Sequence, residues 1–387
     1  LTLIQLVDTS LGVMARHRQG HGLVKALQKI KPKFALYWIA APETAYQVSM
    51  WLPYLERLNE PFVIIVRSRV NFEDVRALTK RPIVICRYQD DLDSVVVPSL
   101  RAVFYTNNSP RNMHMVRFPG IKHIQLNHGD SDKAPSFNPV FRMYDKNFVA
   151  GQAAIDRFAA NGVEMQRDDF VIVGRPQVEN VNVVDTPISD VANPTVLYAP
   201  TWYGFNADSR YSSLAVGPLL IEALLRRGVN VIFRPHPYAR RTATYAAAIE
   251  RIYNLLSTDP RPNSTHVFGK KAETEWSVFD CFNAADAMIS DVSSVVNDFL
   301  YSGKPIAMMA VDVPAAEFPE VFPVAKACYI IEARSDQLVD VETPINRLLG
   351  TDPLRSQRLS LRTHYLGDFP SDGYANHFLQ AALEQIQ

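Results

Sequence analysis

Apolar residues fall along the chain in short runs, separated by segments with helical spacing or by polar breaks. The runs at 34–40, 62–66, 83–87, 102–105, 123–126, 145–149 and 170–173 read as strands, each too short for a buried helix. Between them, 43–58 carries Tyr46, Met50, Leu52, Leu55 and Leu58 at roughly helical spacing, and 72–78, 110–116 and 151–161 give further helical pieces. This alternation predicts a parallel, doubly wound sheet. At 175–195 the pattern lapses into RPQVENVNVVDTPISDVANPT, with three prolines and little periodicity, which reads as an interdomain crossing.

Alternation restarts with VLYAPTW at Val196, followed by helices at 218–227, 242–256 and 274–283 and strands at 229–233 and 265–268. Residues 284–308 form the most informative stretch. A strand at 284–289 ends in the polar cluster Ser290, Asp291, Ser293 and Ser294, a helix follows at 295–302, Gly303 stops it, and 306–310 is the next strand. That is one βαβ unit. A last strand is expected at 328–331, and 336–387 is mostly helical apart from GDFPSDG at 367–373. The expected division is a Rossmann-like domain over 1–180, a second over 195–350, and a helical tail over 351–387 packing back on both. The strand ends of the two sheets then line one cleft. Ligands in such folds sit beyond the carboxyl strand ends, where helix N-termini offer N–H groups to an anion.

Composition narrows the function. With 387 residues, 47% of them hydrophobic and 21% charged, the chain suits a globular protein of two domains. Lys plus Arg and Asp plus Glu both number 40, so nucleic acid is not an expected partner and any anion site is local. Cys86, Cys281 and Cys328 are far apart and lack CxxC spacing, which suggests reduced core residues in a cytoplasmic protein. No run approaches the ~20 apolar residues of a membrane span. Residues 1–18 carry an apolar stretch and then Arg16, His17 and Arg18, the wrong order for a signal peptide; they read as a packing helix or an interfacial one.

Three strand ends carry candidate chemistry. The strand at 123–126 delivers Asn127, His128, Gly129, Asp130, Ser131, Asp132 and Lys133 into a loop. A His beside a Gly can approach a substrate and take a hydroxyl proton, with Asp130 or Asp132 placed to orient the imidazole and Lys133 to meet phosphate. After 229–233 come Arg234, Pro235, His236 and Pro237, where two prolines fix the backbone around His236 and Arg234 has the fork that matches phosphate oxygens. Thr201 in YAPTW can place its hydroxyl in the same cleft. The bland readings are a solvated loop, a proline-rich turn and a plainly capped helix. There is no GxxxxGK[ST], GxSxG or HExxH, and His17 with His21 lacks further ligands, so no metal site is expected.

Taken together, HGDSDK at 128–133, YAPTW at 198–202, RPHP at 234–237, SDVSS at 290–294 with Asp298, and GKP at 303–305 resemble the CDP-glycerol glycerophosphotransferases of teichoic acid and capsule polymer synthesis. The resemblance spans about 122–305, with the earlier part matching in pattern only. It implies a GT-B architecture of two Rossmann-like domains and transfer of glycerol phosphate, or a related alditol phosphate, from a CDP-activated donor to a hydroxyl of a glycan or lipid-linked acceptor, releasing CMP. No cofactor beyond the CDP-glycerol substrate is expected, and the place of work would be the cytoplasmic face of the plasma membrane by peripheral contact. His128 then stands as general base and His236 as the second catalytic residue. Arg234, Thr201, Ser290, Asp291, Ser293, Ser294 and Asp298 stand on the donor side, and Asp130, Asp132 and Lys133 on the acceptor side. Where the family has Thr-Pro-Leu after HG, this chain has Asp130, Ser131 and Asp132, which points to a different acceptor or to one that is not polyanionic. The alternative reading is a GT-B glycosyltransferase or epimerase using a UDP-sugar.

Overall fold

The structure, a computed structural model, describes residues 13–41, 44–204, 210–334, 336–370 and 373–387. Among the described residues, thirteen strands follow in chain order: β1 Phe34–Trp38, β2 Phe62–Val66, β3 Ile83–Ile85, β4 Ala102–Tyr105, β5 Lys122–Gln125, β6 Lys146–Val149, β7 Phe170–Ile172, β8 Thr195–Ala199, β9 Asn230–Phe233, β10 Ala287–Ser290, β11 Ile306–Val311, β12 Tyr329–Arg334 and β13 Gln337–Leu338. The first sheet, ordered β3-β2-β1-β4-β5-β6-β7, is parallel throughout. The second, β13-β12-β11-β10-β8-β9, is parallel except where β13 turns back on β12.

Alternation of side chains explains why each sheet is buried on both faces. Phe34, Leu36 and Trp38 of β1 join one core while Ala35, Tyr37 and Ile39 join another. Likewise Leu197, Met288 and Met308 face one side of the second sheet, and Tyr198, Ile289 and Met309 the other. The last helix, Tyr374–Ile386, closes the first sheet: Ala375, Phe378, Ala381, Ala382 and Ile386 lie in the same core as Trp51, Phe104 and Phe148.

Several expected elements differ. The helix expected over 43–58 is two short ones, Tyr46–Ser49 and Leu52–Arg57, the second with Pro53 in its first turn, where no amide donor is needed. The strand expected at 265–268 is reduced to one bridge between Val267 and Ile232. Side chains take its ladder positions, since Val231 N–H donates to His266 Nδ1 and Thr265 N–H to Asn230 Oδ1. The helix expected from 274 starts at Val278, where Ser277 and Asp280 form a reciprocal cap, after a π-turn at Lys271–Glu275. The helix expected over 295–302 runs Ser294–Phe299 and tightens into a 3₁₀ turn before Gly303, whose φ of 72° suits only glycine without strain. The crossing at 175–195 is packed rather than loose: Val178 and Val181 are buried in the second half's core.

Candidate active site

Loops leaving β5 and β7 meet loops leaving β8 and β10. At the end of β5, Asn127 takes φ of 58°, a left-handed turn that asparagine tolerates, and its Oδ1 accepts the N–H of His128 at 2.9 Å. Its carbonyl accepts Trp51 Nε1–H at 2.6 Å, so the turn is fixed before the histidine is reached. His128 Nδ1 lies 3.1 Å from the Thr106 carbonyl oxygen. A carbonyl can only accept, so Nδ1 carries the hydrogen and the lone pair of the neutral ring sits on Nε2. Burial drives the pKa of His128 down to about 4, partly opposed by that hydrogen bond and aided by nearby Arg175.

His236 is the mirror case. Its Nδ1 accepts the backbone N–H of Tyr238 at 3.1 Å, which leaves the hydrogen on Nε2. The ring stacks on Trp202 with centroids 5.9 Å apart, and the backbone N–H of His236 donates to the Pro200 carbonyl. Burial lowers its pKa to about 3, with further depression from the positive charge of Lys133 and from His128 and Arg241. The two neutral imidazoles are thus held in opposite tautomers, one with its lone pair and the other with its hydrogen on Nε2.

Several expected site residues are committed to holding this arrangement. Asp130 and Asp132 do not orient His128; the Thr106 carbonyl does. Arg157 Nη1 is 2.6 Å from Asp130, and its Nε donates to Asp132 at 3.1 Å; Asp132 also accepts from Tyr365 Oη at 3.0 Å and from the N–H of Val324 at 3.1 Å. Both carboxylates share the single guanidinium of Arg157 inside the protein. Ser290 Oγ donates to the Ala199 carbonyl, and Asp291 accepts the N–H groups of Thr201 at 2.7 Å and Ser213 at 3.2 Å, so neither side chain faces a ligand. Asp298 is paired with Arg175 through contacts of 2.9 and 3.1 Å. Arg234 spends Nη1 on the carbonyls of Ala272 and Trp276, which leaves less than its full fork for phosphate. Lys304 of GKP is similarly occupied, donating to the carbonyls of Phe282 and Ala285.

Of the other expected site residues, His128, His236, Lys133, Ser293 and Ser294 are partly exposed and Thr201 is buried. Lys133 Nζ donates to Thr201 Oγ1 at 3.0 Å; burial pushes the lysine's pKa down and that of Asp291 up, and each opposes the other's shift. The hydroxyls of Ser293 and Ser294 are half-buried. Gly129 brings this turn against the His128 loop: a Cβ there would lie 2.5 Å from Ser294 Oγ, so only glycine permits the approach. Asn297 Nδ2 donates to the Asp130 carbonyl at 2.7 Å and adds a second tie. Sequence reasoning missed Arg157, Arg175, Asn297 and Tyr365. A buried arginine paired at long range leaves no local spacing, and the Gly-Arg-Pro around Arg175 was too short to read. Among the described residues, no group of three or more His, Cys, Asp or Glu side chains is placed to hold a metal ion.

The profile of a family described as CDP-Glycerol:Poly(glycerophosphate) glycerophosphotransferase matches residues 93–315, more than half of the chain. No curated protein sequence matches it. Among solved structures, the wall teichoic acid polymerase TagF is similar at 12% identity with a TM-score of 0.58, over 97% of this chain and 94% of that one. A putative UDP-N-acetylglucosamine 2-epimerase from Listeria monocytogenes is similar at 11% identity and 0.58, over 91% and 96%. The UDP-GlcNAc 2-epimerase of Neisseria meningitidis is similar at 9% and 0.55, over 91% and 99%. These likenesses establish the GT-B fold, two Rossmann-like sheets with a cleft between them, and do not choose a substrate.

Proposed function

The chain belongs to the CDP-glycerol:poly(glycerophosphate) glycerophosphotransferase family, an enzyme family of glycerophosphate transfer, and from that premise we propose how its cleft carries the reaction. The half up to residue 180 takes the acceptor and residues 195–350 take the donor. His128 Nε2 removes the proton from an acceptor hydroxyl as its oxygen attacks the glycerol-bearing phosphorus of CDP-glycerol. The new O–P bond forms as the bridging O–P bond breaks, and CMP leaves with the bonding electrons. His236 Nε2–H and Lys133 face the diphosphate and stabilise charge on its oxygens, with Thr201 and the Ser293 and Ser294 hydroxyls completing the donor side. Such transfer asks the protein mainly for positioning and charge compensation.

The observation that carries this reading is the opposite tautomers of His128 and His236, each fixed by a backbone group. Neutral rings of depressed pKa would also gain basicity when an anionic diphosphate enters, since a nearby negative charge favours protonation. His128 thus becomes a stronger base when the donor is bound.

The test is CMP release from CDP-glycerol with a glycerophosphate acceptor. His128→Ala is expected to cut turnover about 10²–10⁴-fold while the donor still raises the melting temperature. Unchanged turnover would remove His128 from the base role, and stabilisation by UDP-sugars but not CDP-glycerol would overturn the donor. A lipid-linked acceptor would bring the chain to the cytoplasmic face of a membrane. No helix among the described residues is long and apolar enough to cross one. Of the segment 1–18 suspected of surface contact, residues 1–12 lie outside the described residues.

A further inference from the structure

A second polar cluster lies at the carboxyl ends of β2, β3 and β4, outside the site above. Arg67 follows β2 directly. Its Nη1 donates to Tyr37 Oη at 3.0 Å and contacts His114 Nδ1 at 3.3 Å, and its Nη2 donates to the Arg87 carbonyl at 3.3 Å. Tyr37 Oη in turn donates to the Arg111 carbonyl at 3.2 Å, which draws Arg111 to the same place. Every hydrogen-bond partner of Arg67 is neutral, and its buried Nε has none. Among the described residues, neither Arg67, Arg87 nor Arg111 makes an ion pair; Arg117 is engaged by Asp93 at 3.1 Å, and Asp91 accepts the N–H of Tyr88. Asp90 is the other acid of that turn, and it is exposed. His114 has its pKa lowered by burial and then by Arg67, Arg111 and Arg117. Clustered cations without a buried carboxylate are the electrostatic complement of an anion.

The cluster is also connected to the reacting centre. The polar loop at 106–112 begins with the Thr106 carbonyl that orients His128 and contains Arg111. From β5 the sheet order runs through β4 and β1 to β2, three strand steps or about 14 Å.

We propose that Arg67, Arg111 and His114, with Arg87 at the rim, form an anion subsite that takes a phosphodiester group of the acceptor chain while its terminal hydroxyl lies at His128. This deepens the reading above and rests on it. Asp130 and Asp132, which in the sequence point to a different acceptor or to one that is not polyanionic, are paired with Arg157 and do not oppose a polyanionic one. The recessed position of Arg67 and its continuity with the His128 loop favour an acceptor chain over a lipid surface. Met113, 62% exposed near Arg111, makes anionic lipid the rival occupant.

The experiment is calorimetric binding of a soluble, lipid-free glycerophosphate oligomer to the full chain, Arg67→Gln and Arg111→Gln, at low and high salt. Binding that weakens with salt, and falls about tenfold in each variant, supports the subsite. Arg111 is exposed, so its variant keeps the test valid where Arg67→Gln fails to fold. Equal affinity of Arg111→Gln and the parent overturns it. So does an unchanged oligomer affinity with lost sedimentation on phosphatidylglycerol vesicles, which would make the patch a lipid contact. Oligomer binding without CMP release from CDP-glycerol would instead overturn the transferase reading and leave the subsite standing.

Discussion

The loop at 127–133 and the turn at 290–294 both present polar side chains to the cleft, but they are held in opposite ways. The first is braced from a distance: Arg157 comes from the helix Gln152–Ala160, Tyr365 from the helix Arg355–Leu366, and Val324 and Asn297 from the second half. The second is braced by its own sheet, through Ala199, Thr201 and Ser213. Long-range bracing makes the geometry of His128 depend on how the two halves meet. Local bracing ties the hydrogen bonds of the Ser290–Asp291 end of the other turn to the second half alone. Within each motif, acidic residues hold the loop and the His or Ser beside them faces the cleft.

This contrast is most directly broken at Arg157. Arg157→Met leaves Asp130 and Asp132 buried without their partner, which should cost about 3–5 kcal/mol in urea denaturation. The second sheet's brace should be less sensitive: Asp291→Asn keeps an acceptor for one of its two N–H partners and should cost about 1–2 kcal/mol. A smaller loss from Arg157→Met than from Asp291→Asn would reverse the picture.

A second test uses pH. The folded pKa values of His128 and His236, about 4 and about 3, lie below the ordinary histidine value of 6.5. Between those limits the unfolded chain binds protons that the folded one refuses, so stability falls as pH drops from 6.5 toward 4. The loss per histidine is about 3 kcal/mol, and His128→Gln should lose correspondingly less over the same range. Equal acid sensitivity of variant and parent in urea midpoints would show that His128 is not held neutral by its surroundings.

The smallest expected effect is at Ser293. Ser293→Ala should change stability by no more than about 0.5 kcal/mol, because its side chain makes no cap bond. It should still raise KM for CDP-glycerol a few-fold in a CMP-release assay. A stability loss like that of Asp291→Asn would show that this hydroxyl braces the turn after all.

Much of the fold was legible in the sequence because both sheets are parallel and buried on both faces, so apolar runs such as 62–66 and 102–105 mark strands closely. The strand at 265–268 was legible only in part, because beyond the backbone bonds of Val267 the side chains of His266 and Asn230 take the neighbouring positions, and apolar content cannot show that. At the site, motif order found the residues but not their duties. His128 and Asp132 belong to the same hexapeptide, yet Asp132 is tied to Tyr365, 233 positions away. No spacing rule reaches that far, and a carboxylate beside a histidine looks the same whether it orients the ring or anchors a domain.

The helix Tyr374–Ile386, which closes the core around Trp51, Phe104 and Phe148, bears on how the protein is made. A ribosome that has finished the first sheet still has roughly 200 residues to add before that helix exists, about 10–40 s at ordinary translation rates. Throughout that interval one face of the first sheet lacks part of its cover. The core of the first half is therefore completed by residues synthesised about 200 positions after its last strand.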